Sequence, residues 1–309
     1  MSALPSVSII IPCRNYAHLL PETLASVAEQ TLSNWECLVV DDGSTDDTEH
    51  VVAAFSSEDK RFRYIRQEHS GPSIARNRGL EIASGEFIQF LDADDLLMPF
   101  KLQSQLGLLR SNDPVVMVYG GYRYFTSAQP GRTFPDFNLS DTPETLPHTH
   151  GTGDALLRQL LVANRIPVCA PLIRTAAIKQ VGGFDTKLHG CEDWDLWIRM
   201  AFRGGAFVYA DMPDTAVLIR RHAGSSSCNQ LMMMASQLAM RHKIAAGLHS
   251  PDLVSLNREY LMRTAIGLAY LYRTQKKWHS ALNLYLRYTL PYLLRRLKQP
   301  AFFARSELL

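Results

Sequence analysis

The sequence predicts an α/β fold assembled from βαβ units around a parallel sheet, and three observations carry that expectation. Short β-branched runs alternate with amphipathic segments from Val7 to Asp94, the pattern of strands joined by crossover helices. The first run, VSIIIP, is apolar throughout, as a strand covered on both faces must be. Two later runs, WECLVVDDGS and GEFIQFLDADD, end in clustered acids. In an open parallel sheet the carboxyl ends of the strands border the ligand crevice, so both clusters are expected to face one cleft.

The elements follow in order. After the first strand, Leu20, Leu24 and Val27 recur at helical spacing and predict a helix over Pro21–Gln30. The second strand is followed by a helix over Asp46–Phe55, capped by Ser44 or Thr45, and FRYIRQ reads as the third strand. Pro72–Ala83 has proline early, where a helix tolerates it, and leads into the fourth strand. Val115–Tyr119 is another strand. From Phe125 to Gly153 the composition turns to Pro, Thr, Ser, Asp and His, which predicts one long loop. Regular pattern resumes at Ala155–Val162, in PLIRTAAIKQVGGFD, in a helical CEDWDLWIRMAFRGG closed by Gly204 and Gly205, and in a strand-like AFVYADMPDTAVLIRRH. Helices are expected over about 230–246, 253–273 and 278–296, giving a domain at 1–227 and a helical region at 228–309.

Composition narrows the classes of function. A chain of 309 residues with 32 basic and 30 acidic side chains carries a formal charge of +2, so no global field draws it to nucleic acid. Five scattered cysteines without a CxxC pair fit neither a zinc site nor a disulfide scaffold, and point to a reducing cytoplasmic setting. No signal peptide is recognisable, and no apolar run approaches the ~20 residues that span a bilayer. One segment, Leu282–Phe303, combines Leu, Tyr and Phe with Arg287, Arg295, Arg296, Lys298 and the nearby Arg305. It reads either as a peripheral contact with the inner face of an anionic membrane or as a core helix with a solvated basic face.

Four constellations carry chemistry. Asp92, Asp94 and Asp95 crowd three carboxylates into four residues, which is costly unless a cation neutralises them; Mg²⁺ or Mn²⁺ suits such oxygens, and the alternative is a solvated turn in which Asp95 caps the next helix. Asp41 and Asp42 end a buried strand, where a carboxylate can accept hydrogen bonds from a base or ribose, or form an Asx turn around Gly43. Glu192 and Asp193 open an amphipathic helix beside Trp194 and Trp197, either as acids favoured by the helix dipole or as a carboxylate tuned for base work. Arg220, Arg221 and His222, a cationic pair with an imidazole followed by a polar Ala223–Ser227, can stabilise a departing diphosphate, and the imidazole can ligate a metal. Arg76 and Asn77, after Gly71-Pro72, add a polar pair toward the same crevice.

Taken in order, VSIIIPCRNYAHLLPETLASVAEQT, LVVDDGSTDDT, SGPSIARNRGL, GEFIQFLDADD and GGFD…EDWDLWIRM resemble the family 2 glycosyltransferases over about Val7–Ser227. The resemblance implies a GT-A fold, a Rossmann-like mixed sheet flanked by helices, with the helical tail as an extension that carries no assignable motif. It implies a nucleotide-diphosphate sugar donor, UDP-linked, and a saccharide or lipid-linked hydroxyl acceptor in cell-surface polysaccharide or glycoconjugate synthesis. By that resemblance Asp42 contacts the uracil; Pro12, Arg14, Asn15 and Arg76 border the nucleotide; and Asp92 and Asp94, with Asp95 as an alternative, bind Mn²⁺ or Mg²⁺. Asp193 is the catalytic base, Glu192 and Trp194 support it or the acceptor, and Arg221 and His222 meet the diphosphate or metal. Inversion at the anomeric carbon follows from a single displacement. Near IRRH there is no QxxRW, which argues against a processive synthase.

Rival readings are weaker. The turn after the first strand, Pro12-Cys13-Arg14-Asn15, is not G-x-G-x-x-G, so a nicotinamide dehydrogenase is unsupported, and no GK[ST] loop marks an NTPase. A nucleotide-sugar-binding scaffold of the same fold, without catalysis, is the alternative of a different class.

Overall fold

The protein is described here by a computed structural model that covers residues 4–142, 148–222 and 229–291. The chain divides into two compact units, one comprising 1–187 and 192–225, the other 188–191 and 226–309.

The first unit opens with β1 (Val7–Cys13), α1 (Leu20–Ala28), β2 (Trp35–Asp42), α2 (Thr48–Glu58), β3 (Phe62–Gln67), α3 (Pro72–Ile82) and β4 (Phe87–Phe90). All of β2 is buried, and Val7, Ile9, Ile10 and Ile11 of β1 have no exposed surface, so each of these side chains contributes about 1.5–3 kcal/mol relative to exposure. Gly79 lets α3 lie directly on this strand, since a Cβ there would meet Ile10 Cγ2 at 2.4 Å. Short β5 (Leu96–Leu97) precedes α4 (Lys101–Ser111) and β6 (Val115–Tyr119).

Next come β7 (Tyr122–Thr126), β8 (Gln129–Phe134), α5 (Gly153–Val162), β9 (Pro171–Arg174), α6 (Thr175–Gln180), α7 (Glu192–Phe202), β10 (Ala206–Tyr209) and β11 (Val217–Arg220). Seven strands form the main sheet in the order β10-β6-β9-β4-β1-β2-β3, and four form a second in the order β5-β11-β7-β8. Within the main sheet β9 alone runs against its neighbours, pairing antiparallel with β4 and β6, so the sheet is mixed.

Three features depart from the sequence reading. Phe125–Gly153 is not one loop, because β7 and β8 pair antiparallel within it. Pro130 and Gly131 hide that strand by composition, yet an edge strand such as β8 tolerates both. The strand-like stretch after α7 is two strands in different sheets, separated by a turn in which Asp214 takes φ 55°. Neither Ser44 nor Thr45 caps α2: Asp46 accepts from Thr48 N and Oγ1 at 3.2 and 2.6 Å instead.

In the second unit α8 (Gln230–Ile244) is capped by Asn229, whose side chain accepts from Met232 N at 3.1 Å. It is followed by α9 (Pro251–Thr274) and α10 (Trp278–Leu284), which continues as a π turn over Tyr285–Thr289. Leu238, Ala265 and Leu268 form its core, with Leu231, Met234, Leu261, Leu284 and Tyr288 packed against them. Arg241 is fully buried there against Asn257 (3.4 Å) and over the Tyr260 ring. Residues 292–296 of the expected last helix lie outside the described residues, as do most of the 282–303 basic stretch, the 223–227 loop and Cys228. Among the described residues no helix is long and apolar enough to cross a membrane.

Candidate active site

The acidic segment after β4 is built by three different environments for three adjacent carboxyls. Asp92 is part-exposed and accepts from Arg76 Nη2 at 2.7 Å. Asp94 is more enclosed, with Oδ2 2.8 Å from His222 Nε2. Asp95 points inward, where its Oδ1 accepts from the Arg220 N–H at 2.9 Å and its carboxyl meets the Cys169 thiol. It therefore neither caps α4 nor faces the cleft. The neighbouring Arg220 is buried and holds the segment from below, donating to Asp94 O (2.9 Å), Ser127 Oγ (2.8 Å) and Glu22 Oε2 (2.8 Å). Arg221, the expected diphosphate ligand, stacks its guanidinium 3.6 Å over the Phe137 ring.

Electrostatics in this segment are strained by like charge. Burial, then the Asp92 charge, raises the Asp94 carboxyl against the opposing His222 contact. Burial followed by Asp94 and Asp92 holds Asp95 well above the carboxylate range. Tyr16, half-buried 6.0 Å from the His222 ring, is pushed up to about 12 by burial and then by Asp94 and Asp92. A cation at Asp92 and Asp94 would relieve that repulsion. The donor set of two carboxylates and one imidazole fits Mn²⁺ or Mg²⁺, which complete their shells with water and substrate phosphates. Among the described residues no three His, Cys, Asp or Glu side chains are grouped closely enough to hold a metal ion by themselves.

The second acidic cluster differs from its expected state. Asp42 is buried, and its carboxylate already accepts from Gln67 Nε2 (2.7 Å), Ser70 N (2.8 Å) and Gly71 N (2.8 Å), with His69 Nδ1 at 2.8 Å. A carboxylate offers about four acceptor positions, so all are engaged within the protein. Burial opposes ionisation, but those hydrogen bonds hold its pKa below the ordinary value. Asp41 accepts from Ser44 N and Tyr64 Oη. Together they shape an open depression lined by Gly43, Arg66, Gln67, Glu68 and His69. Gly43 makes that turn with φ 75°, and a Cβ there would press on His69 N at 3.0 Å. Just after β1, Asn15 takes φ 60° and its side-chain Oδ1 accepts from Thr45 N at 2.8 Å; half-buried Pro12 and exposed Arg14 precede it.

The third cluster is organised at the start of α7. Arg76 joins it to the first, donating to Asp92 through Nη2 and to Glu192 Oε1 through Nη1 at 2.9 Å. Asp193 accepts from Asn164 Nδ2 at 3.1 Å and from the Trp194 N–H at 2.6 Å. Burial, followed by the adjacent Glu192 charge, raises its carboxyl to about 7. The Trp194 indole donates to Leu160 O at 2.7 Å and the Trp197 indole to Ile166 O at 3.0 Å, so both rings are core and anchor the segment before β9. The expected aromatic lining is absent at these two positions; Trp194 supports Asp193 through its backbone. Sequence reasoning missed Asn164, Tyr16 and His69, and it named Arg220 in the cationic run without marking it as the residue buried beneath the acids.

This strand order, with one reversed strand and acids at the carboxyl ends of β2 and β4, is the GT-A class of α/β fold. The chain belongs to glycosyl transferase family 2, whose profile matches residues 8–180. It is 31% identical over 274 residues to an uncharacterised glycosyltransferase of Rickettsia bellii (strain RML369-C), covering 88% of this chain and 36% of that protein. It is 42% identical over 117 residues to the UDP-Glc:α-D-GlcNAc-diphosphoundecaprenol β-1,3-glucosyltransferase WfgD of Escherichia coli, covering 38% of this chain and 45% of that one. The chain thus spans about a third of the first and under half of the second. Among solved structures, Staphylococcus aureus TarS 1–349 in complex with UDP-GlcNAc superposes with a TM-score of 0.65 at 20% identity, covering 90% of this chain and 79% of TarS.

Proposed function

We propose that the protein is an inverting, metal-dependent glycosyltransferase that moves a sugar from a UDP-linked donor to a hydroxyl of a saccharide or lipid-linked acceptor in cell-surface polysaccharide or glycoconjugate synthesis. The observation that carries this reading is Asp193: a carboxylate with a pKa near neutrality, oriented by two donors and joined through Glu192 and Arg76 to the acidic segment. The UDP-linked donors in the names of WfgD and of the TarS complex support the choice of nucleotide.

Asp193 takes the proton of the acceptor hydroxyl as that oxygen attacks the anomeric carbon. Arg76 holds Asp92 and Glu192 in place, and His222 with Asp94 faces the diphosphate. A divalent metal held by Asp92, Asp94 and His222 would supply positive charge for the leaving group. Asp95 and Arg220 keep that segment in register from beneath. In this reading Asp42 acts through the loop it ties down, fixing Ser70, Gly71 and His69 beside the base.

The test is incubation with UDP-, GDP- and dTDP-sugars and Mn²⁺, scoring released nucleotide and the anomeric configuration of the product by NMR. An α-linked donor must give a β-linked product; release from none of the donors, or retention, overturns the reading. The Asp42 role has its own test. Asp42→Ala frees four donors at once and is expected to weaken UDP binding by about 1.5–3 kcal/mol in calorimetry. Unchanged affinity removes Asp42 and its loop from the site.

A further inference from the structure

We propose that the outer face of α10 and its π turn is a docking surface for an anionic lipid bilayer. An isolated amphipathic helix has one apolar side, but this segment has two. Ala281, Leu284 and Tyr288 face the core of the second unit, recurring at three- and four-residue spacing. On the opposite side Leu282 (56% exposed), Leu286 (54%) and Leu290 (46%) form a second stripe at four-residue spacing, flanked by Trp278 (60%) and Tyr285. These side chains lie open among the described residues, and the core-helix alternative accounts for the inner stripe only.

Charge identifies the occupant. Between Leu261 and Ser306 the sequence has nine Lys and Arg and no Asp or Glu, in a chain whose total is nearly balanced. Lys276 and Lys277 stand at the start of α10 and Arg287 lies within the π turn. A stripe of leucines with tryptophan and tyrosine at its border and basic residues beside it matches the interface of an anionic bilayer, where aromatic rings sit at headgroup level and lysines meet lipid phosphates. A second copy of the chain would bring the same positive charge against itself. The surface needs no residue of the acidic cleft, so it stands or falls apart from the transfer reaction.

The experiment is sedimentation of the full chain with vesicles of phosphatidylcholine alone or mixed with phosphatidylglycerol. Binding is expected with the anionic vesicles only, weakening as salt rises. Leu282→Ser/Leu286→Ser should abolish it. Lys276→Gln/Lys277→Gln, which leaves the packed stripe untouched, should weaken it roughly 25-fold, about fivefold per charge. Calorimetry of UDP binding and circular dichroism on each variant serve as folding controls. No binding to anionic vesicles, equal binding to both vesicle types, or a concentration-dependent dimer lost in the leucine variant without lipid binding overturns the proposal.

Discussion

Asp193→Asn is expected to bind UDP-sugar with near-normal affinity and to lose kcat by ~10²- to 10⁴-fold, toward the upper end because a sugar hydroxyl is a weak acid. Asparagine keeps the shape and the hydrogen bonds to Asn164 and the Trp194 N–H within reach while removing basicity. Calorimetry with the donor and kcat with the acceptor separate the two effects; loss of donor binding would make Asp193 a structural acid. The pH profile provides a second readout. Only the ionised carboxylate can accept the proton, so with a pKa of about 7 the wild-type rate should climb through neutrality and fall about tenfold per unit on the acid side. The stability effect has the opposite sense. A raised folded-state pKa means that the folded protein binds the proton more tightly than the unfolded chain, so this group's contribution declines as pH rises from about 4 to about 7. Asp193→Asn should flatten that part of a Tm-against-pH curve, and an unaltered curve would contradict the environment described for Asp193.

The second large effect concerns the acidic segment. Asp94→Ala, or chelation of wild type with excess EDTA, should lower transfer by at least ~10²-fold, the scale seen when charge stabilisation of a leaving group is removed. The two losses should not add, because they remove the same interaction. Mn²⁺ binding in the presence of UDP, followed by calorimetry, gives a readout independent of turnover: it should be present in wild type and lost in Asp94→Ala. Full activity in EDTA, or normal Mn²⁺ binding by the variant, would sink the assignment. Asp95 provides the contrast, since its carboxyl is directed at Arg220 N and Cys169; Asp95→Asn is expected to leave Mn²⁺ binding intact.

Legibility in the sequence followed the reach of the interactions. The βαβ half was readable because its strands are short runs rich in β-branched and aromatic residues, set between segments of helical period: FRYIRQ and Val115–Tyr119 coincide with β3 and β6 residue for residue. Strand direction is not written in such a run, so nothing marked β9 as reversed. The hairpin of β7 and β8 was masked by Pro130 and Gly131, whose cost vanishes on an edge. In the site, the acids were visible as clusters, but their partners come from far away in the chain. Asp42 gives no sign that Gln67, Ser70 and Gly71 saturate it. Asn164 is an ordinary polar residue until the turn before β9 brings it to Asp193. Arg220 and Arg221 look interchangeable side by side, yet alternation along β11 sends one to the acids and the other to Phe137.

The span between Arg220 and the acids it holds has a consequence for synthesis. Their separation is 126 residues, and a ribosome adding roughly 5–20 residues per second leaves about 6 to 25 s between their emergence. Through that interval β1 to β4 can assemble from local βαβ pairings, while the three carboxyls at their edge have neither Arg220 nor His222. The nascent acidic loop must stay hydrated and open, and the second sheet cannot close until β11 slots between β5 and β7. Chains interrupted between Phe90 and Val217 would therefore have β1 to β4 available to pair, while the acidic segment still lacks Arg220 and the second sheet still lacks β11.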